Sequence, residues 1–246
     1  MESVKIIEDI VYKAYADSSL AFDMYRPYNS ERQILPVAII TAGYRTDAID
    51  LTKFGPTTSW AKLIAASGFA AIIYETLDQK LDLEDLIAFL RENGDALNLD
   101  RDQFGLWTCS GNTPTALTFI LESNLDYIKC GVIYYGLMLA EGWKHLDYWD
   151  SVGLSMSFLT PRVNWDSEIN SNTPLLVVRA GLEHAPFLNQ SIDDFLLKAN
   201  ERNLPVTFIN FPDGHHGFDY KDDNDKSREI IKFTIEYFKS HLKNKE

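Results

Sequence analysis

Gln103-Phe-Gly-Leu-Trp-Thr-Cys-Ser-Gly-Asn-Thr-Pro114 sets a short apolar run, Phe104 to Trp107, directly against a small polar turn and a helix-starting proline. A strand that breaks this abruptly and restarts as a helix can hold a nucleophilic side chain at its apex, with neighbouring backbone passing close by. Ser110 occupies that apex. Close passage favours glycine two residues before and two after, where this chain has Thr108 and Asn112. Two non-glycine flanks predict a turn whose neighbouring strands stand slightly apart. The plainer alternative is that Ser110 only caps the helix beginning near Pro114, a role Ser and Asn fill readily.

On the N-terminal side, Val4, Ile6, Val11 and Tyr12 lead to the polar turn Ala16-Asp-Ser-Ser19, and Leu20-Ala-Phe-Asp-Met-Tyr25 resumes the extended pattern. This predicts an antiparallel hairpin. Val37-Ala-Ile-Ile40 and Phe69-Ala-Ala-Ile-Ile-Tyr74 are continuous apolar runs, as in strands covered on both faces of a parallel sheet. Between them Thr57 or Thr58 is placed to cap a helix through Ala66, with Gly68 at the terminating left-handed position. Leu83, Leu86, Ile87 and Leu90 recur at three- and four-residue spacing and predict a helix from roughly Leu83 to Leu97. Further strands are expected at Phe104 to Trp107, Lys129 to Tyr134, Leu175 to Arg179 and Val206 to Phe211. Helices are expected at Pro114 to Leu121, around Ser191 to Arg202, and from about Lys226 to Leu242.

This order predicts an α/β fold in one domain over residues 1–246: a mostly parallel central sheet with an antiparallel N-terminal hairpin and helices on both faces. The span Gly136 to Thr173 interrupts the rhythm. It exceeds the usual connection and holds Trp143, Tyr148, Trp149, Phe158 and Trp165. It is expected to be a short lid-like insertion after the sixth strand, or else a pair of surface helices whose aromatics finish the core.

Composition removes several classes of function. A net charge of −13, from 36 acidic and 23 basic residues, opposes binding to a phosphate backbone. Nucleic acid is not expected as a partner. Two cysteines, Cys109 and Cys130, cannot build a disulfide framework, and Met-Glu-Ser-Val-Lys lacks the features of a signal peptide. A cytoplasmic protein is expected. No apolar run approaches the ~20 residues of a membrane helix. His145, His184 and His241 are too scattered to suggest a metal site, and Asp222-Asp-Asn-Asp225 lacks the glycine and distal glutamate of a calcium loop. With no Gly-rich phosphate loop after any strand, no cofactor is expected. Oligomeric state is open, a homo-oligomer included.

A hydroxyl nucleophile needs a base within hydrogen-bond reach and a carboxylate to hold that base in the right tautomer. His216 lies in Pro212-Asp-Gly-His-His-Gly-Phe-Asp219, just past a strand, and the Gly-x-His-Gly-Phe pattern favours it over His215. Glu183, in Arg179-Ala-Gly-Leu-Glu-His184, follows the preceding strand. Asp193 and Asp194 fall inside the next helix and Asp219 follows the histidine too closely, so Glu183 is the candidate acid.

The order Ser110, Glu183, His216 resembles the α/β-hydrolase superfamily, close to its dienelactone-hydrolase-like and esterase branches, over nearly the whole chain. Leu20-Ala-Phe-Asp-Met-Tyr-Arg-Pro27 resembles the hairpin strand preceding the oxyanion segment of such esterases. Ala38-Ile-Ile-Thr-Ala-Gly-Tyr44 stands in the place of their apolar strand ending in a His-Gly or Ser-Gly pair. The resemblance implies a serine hydrolase of small carboxylic esters that works through an acyl-enzyme. Ser110 would attack, His216 would carry the proton, and Glu183 would orient His216. The backbone N–H groups of Tyr44 and Gly111 would hold the oxyanion, and Trp143, Trp149 and Trp165 would shape the substrate pocket. Dienelactone hydrolases use a thiol, but taking Cys109 as nucleophile places the bulky Trp107 two residues before it; Ser110 fits better. The competing reading is an inactive scaffold of the same fold that binds a small molecule or protein, motivated by the missing glycines and the Glu in the acid position.

Overall fold

The computed structural model of the chain describes residues 3–41, 52–122, 125–138, 169–185 and 187–242. Two compact units make up the chain. The first comprises Met1–Trp107, Asp126–Lys129 and Phe238–Glu246; the second comprises Thr108–Leu125 and Cys130–Tyr237.

In the first unit, β1 (Val4–Ala14) and β2 (Ser19–Pro27) form the expected hairpin, paired from Val4↔Pro27 to Ala14↔Ser19. Two register shifts interrupt it, and Asp9, at φ 57°, sits in the first. β2 pairs antiparallel with β4 (Ala70–Tyr74), whereas β3 (Leu35–Ile40) pairs parallel with β4 and with β5 (Leu99–Cys109). Every residue of β3 and β4 is buried. Successive strand residues face opposite sides, so both faces of the sheet are covered here.

Helix α1 (Gly55–Ala66) starts earlier than predicted. Pro56 fits the first turn, where its missing N–H costs nothing; Phe54 holds the cap position without a side-chain bond, and Thr58 Oγ1 donates to the Gly55 carbonyl instead of capping. Gly68 takes φ +105°, as the terminating position requires. Helix α2 (Gln79–Glu92) is capped by Asp78, which accepts from Leu81 N–H at 3.0 Å, and buries Leu83, Leu86, Ile87 and Leu90. The single helix predicted through Leu97 is divided. The Asn93 amide donates to the Phe89 carbonyl at 2.9 Å, a local bond that competes with helix continuation, and a separate turn α3 (Gly94–Leu97) follows.

In the second unit a 3-10 turn (Ser110–Asn112) leads into α4 (Thr113–Glu122), followed by β6 (Ile128–Tyr134) and β7 (Leu175–Leu182). The elements α5 (Leu188–Glu201), β8 (Val206–His215), α6 (Phe218–Lys221) and α7 (Asp225–His241) complete the described chain. β6, β7 and β8 pair in parallel. A Cβ on Gly131 would lie 2.7 Å from Ile120 and 2.9 Å from Leu175, so glycine there lets α4 close on β6. The strand order of the eight-stranded sheet is β1-β2-β4-β3-β5-β6-β7-β8, mostly parallel with the antiparallel hairpin at one end.

β7 and β8 both outrun their predicted ends. Their register slips between Ala180 and Leu182 and resumes at Leu182↔His215. The slip needs Gly181, where a Cβ would lie 2.1 Å from the Pro212 carbonyl oxygen. The residue after each partner is Glu183 on one strand and His216 on the other.

Candidate active site

All three candidate catalytic residues belong to the second unit. β5 stays extended through Cys109 (φ −148°, ψ 157°), then Ser110, at φ +51°, opens the 3-10 turn that leads into α4. A left-handed serine is uncommon and costs about 1–2 kcal/mol, so the conformation persists only where the surroundings impose it. One such constraint is the Leu137 N–H, which donates to the Ser110 carbonyl at 3.1 Å. The non-glycine flanks do not push the neighbouring strand away on the β3 side: Thr41 N–H still reaches the Trp107 carbonyl at 2.9 Å. The close approach is made instead at Gly136, where a Cβ would lie 2.3 Å from Thr113 Oγ1.

Glu183 Oε2 lies 2.5 Å from His216 Nδ1, and Glu183 Oε1 accepts from the Ala185 N–H at 2.8 Å. The Glu183 side chain is 3% exposed and that of His216 28%. Burial alone would raise the Glu183 carboxyl, but the hydrogen bond and charge of His216, with backbone N–H groups of Ala185 and His184, hold it below the ordinary carboxylate range. An ionised Glu183 can only accept, which assigns the proton to Nδ1 in neutral His216 and leaves Nε2 as the lone-pair nitrogen. His215 is committed elsewhere. Its backbone N–H and its Nδ1 lie 2.9 and 3.0 Å from the Asp222 carboxylate. Asp193 is likewise occupied by Arg179, and Asp219 accepts the Tyr135 hydroxyl at 2.6 Å.

No family model and no curated protein matches the sequence. Solved structures match it closely in shape. MGS-M1, an alpha/beta hydrolase enzyme from a Medee basin deep-sea metagenome library, superposes with a TM-score of 0.71 at 18% identity, over 98% of this chain and 99% of that one. The fold is that of the α/β-hydrolases. A fungal esterase from Rhizomucor miehei (TM-score 0.72, 15% identity, 97% of this chain and 84% of that one) shares it. So does esterase 2 of Thermogutta terrifontis (TM-score 0.70, 15% identity, 100% and 98%).

Within this α/β-hydrolase fold the structure brings Glu183 and His216 into direct contact, but no hydrogen bond joins Ser110 Oγ to His216 among the described residues. The two are linked through the segment after β6: Leu137 holds the Ser110 carbonyl, and the Tyr135 ring lies 4.6 Å from the His216 ring, centroid to centroid. Hydrogen bonds to a nucleophile are often long before substrate binds. Cys109 stands beside Ser110 as a half-buried free thiol. Burial pushes it well up, the Asp219 carboxylate adds to that, and a bond with Tyr135 offsets only part. A thiol so disfavoured as thiolate is a poor nucleophile.

Gly111 follows Ser110 inside the 3-10 turn, where the first N–H groups of a helix lack internal partners. Tyr44, Trp143, Trp149 and Trp165, with most of the insertion expected over 136–173, lie outside the described residues. Among the described residues, no group of three His, Cys, Asp or Glu side chains could hold a metal, and no helix is long and apolar enough to cross a membrane. Sequence reasoning missed Tyr135. Its φ of +38° and its contact with His216 leave no trace in a Tyr-Tyr-Gly stretch at a strand end.

Proposed function

We propose that the protein is a serine hydrolase of small carboxylic esters. Ser110 Oγ attacks the acyl carbon as His216 Nε2 takes its proton; the ester C–O bond breaks, the alcohol leaves with that proton, and water, deprotonated by His216, then cleaves the acyl-enzyme as His216 returns the proton to Ser110 Oγ. Glu183 holds the tautomer and stabilises the imidazolium. The N–H groups of Gly111 and Tyr44 hold the oxyanion, and Trp143, Trp149 and Trp165 wall the pocket. The same chemistry would open a lactone, in keeping with the dienelactone-hydrolase resemblance. Two free cysteines suit a cytoplasmic setting.

The observation that carries this reading is the part-buried Glu183–His216 bond, set one residue beyond the Leu182↔His215 pair, in the unit that holds Ser110 at φ +51°. Ser110→Ala should lower hydrolysis of short p-nitrophenyl esters by about 10^4-fold or more. Equal rates in variant and wild type would remove Ser110 from the mechanism. Fluorophosphonate labelling with peptide mapping should mark Ser110 and leave Cys109 free.

A binding scaffold is the second reading, favoured by the missing Ser110–His216 hydrogen bond. A folded protein that neither reacts with fluorophosphonate nor turns over esters or lactones would select it.

A further inference from the structure

We propose that Tyr135 is a positioning residue for His216, its ring packing at a tilt against the imidazole while Glu183 holds Nδ1, so that Nε2 points in one direction. The inference rests on reading His216 as the base. A ring anchored at Nδ1 alone can still tilt about that bond, and His216 is too exposed for burial to lock it. The Tyr135 ring supplies the second contact, at 4.6 Å and 52° to the imidazole.

Tyr135 is itself over-determined. It is 2% exposed; its N–H donates to the Val178 carbonyl at 2.8 Å, and its hydroxyl donates to Asp219 Oδ1 at 2.6 Å. Consecutive residues of a strand ordinarily point to opposite faces, yet the rings of Tyr134 and Tyr135 both meet Phe218, at 5.0 and 5.7 Å. The left-handed φ of +38° at Tyr135 accounts for this, because it breaks the alternation just past the end of β6. A bulky residue rarely adopts that conformation. Here it brings a second aromatic ring against the segment that begins at His216, while Leu137, two residues on, holds the Ser110 carbonyl.

The test is NMR of the imidazole together with ester kinetics. Wild type should show cross-relaxation between Tyr135 and His216 ring protons and a sharp, downfield Nδ1–H resonance from His216. Tyr135→Leu should broaden or lose that resonance and lower kcat by about ten- to a hundredfold with KM nearly constant. Tyr135→Phe, which keeps the ring, should restore the resonance and most of kcat. Absence of the ring-to-ring cross-relaxation in wild type overturns the proposal, and so does a folded Tyr135→Leu with wild-type resonance and kcat. The wild-type measurement decides even if Tyr135→Leu does not fold. If wild type hydrolyses no ester, the hydrolase reading fails while the NMR result still judges the positioning role.

Discussion

Asp82 and Glu183 are two buried carboxylates, one in each compact unit, both held below the ordinary carboxylate range against the upward pull of burial. Their neighbours differ. Asp82 accepts from Lys13 Nζ at 2.6 Å, from the N–H groups of Leu77 and Asp78 at 2.6 and 2.7 Å, and from Thr76 Oγ1 at 3.1 Å. Three of those donors belong to the turn entering α2, and the interaction ends in the scaffold. Glu183 instead accepts from Nδ1 of an imidazole whose Nε2 has no partner among the described residues. A perturbed carboxylate therefore does not by itself mark a site; what lies beyond its partner decides.

This contrast predicts a double dissociation. The largest effect is expected from Glu183→Ala, which should cut ester turnover by about 10^4-fold with little change in Tm, since the partly exposed His216 can be solvated. A large fall in Tm with turnover intact would make Glu183 a second Asp82. Asp82→Ala should do the reverse. Loss of one acceptor serving four donors should cost about 3 kcal/mol, seen as a Tm lowered by about 6–12 °C, with turnover per folded molecule unchanged.

The smallest effect lies in the acid dependence of stability. Both folded carboxyls lie below their ordinary values of 3.8 and 4.5, so each contributes stability that is fully present above those values and lost as pH falls through the folded ones. Urea unfolding between about pH 6 and pH 3 should show stability declining, and Asp82→Asn and Glu183→Gln should each make the decline shallower. A decline unaltered in both variants would mean that neither carboxyl is depressed.

Much of the architecture was legible in the sequence. The hairpin followed from alternation, and the buried strands from runs such as Val37 to Ile40. The candidate residues were legible as turns after strands. The boundaries that failed did so through local competition: Asn93 ends a helix whose apolar stripe is confined to α2, and Pro56 starts one for which Thr57 or Thr58 was the expected cap. The β7 and β8 extensions escaped notice because Gly181, Pro212, Asp213 and Gly214 read as loop. Their pairing depends on a slip that only the facing strand can define.

By itself the sequence determined the strand and helix order, the serine at a strand-to-helix turn, and a Glu and a His each placed just past a strand. These are local properties, set by periodicity and turn chemistry over a few residues. Tertiary structure decided that Glu183 takes His216 while His215 goes to Asp222, that Gly136 makes room for Thr113, and that Tyr135 abandons strand geometry to meet the imidazole. Each of those outcomes depends on which distant segments are packed together, and sequence spacing carries no record of that.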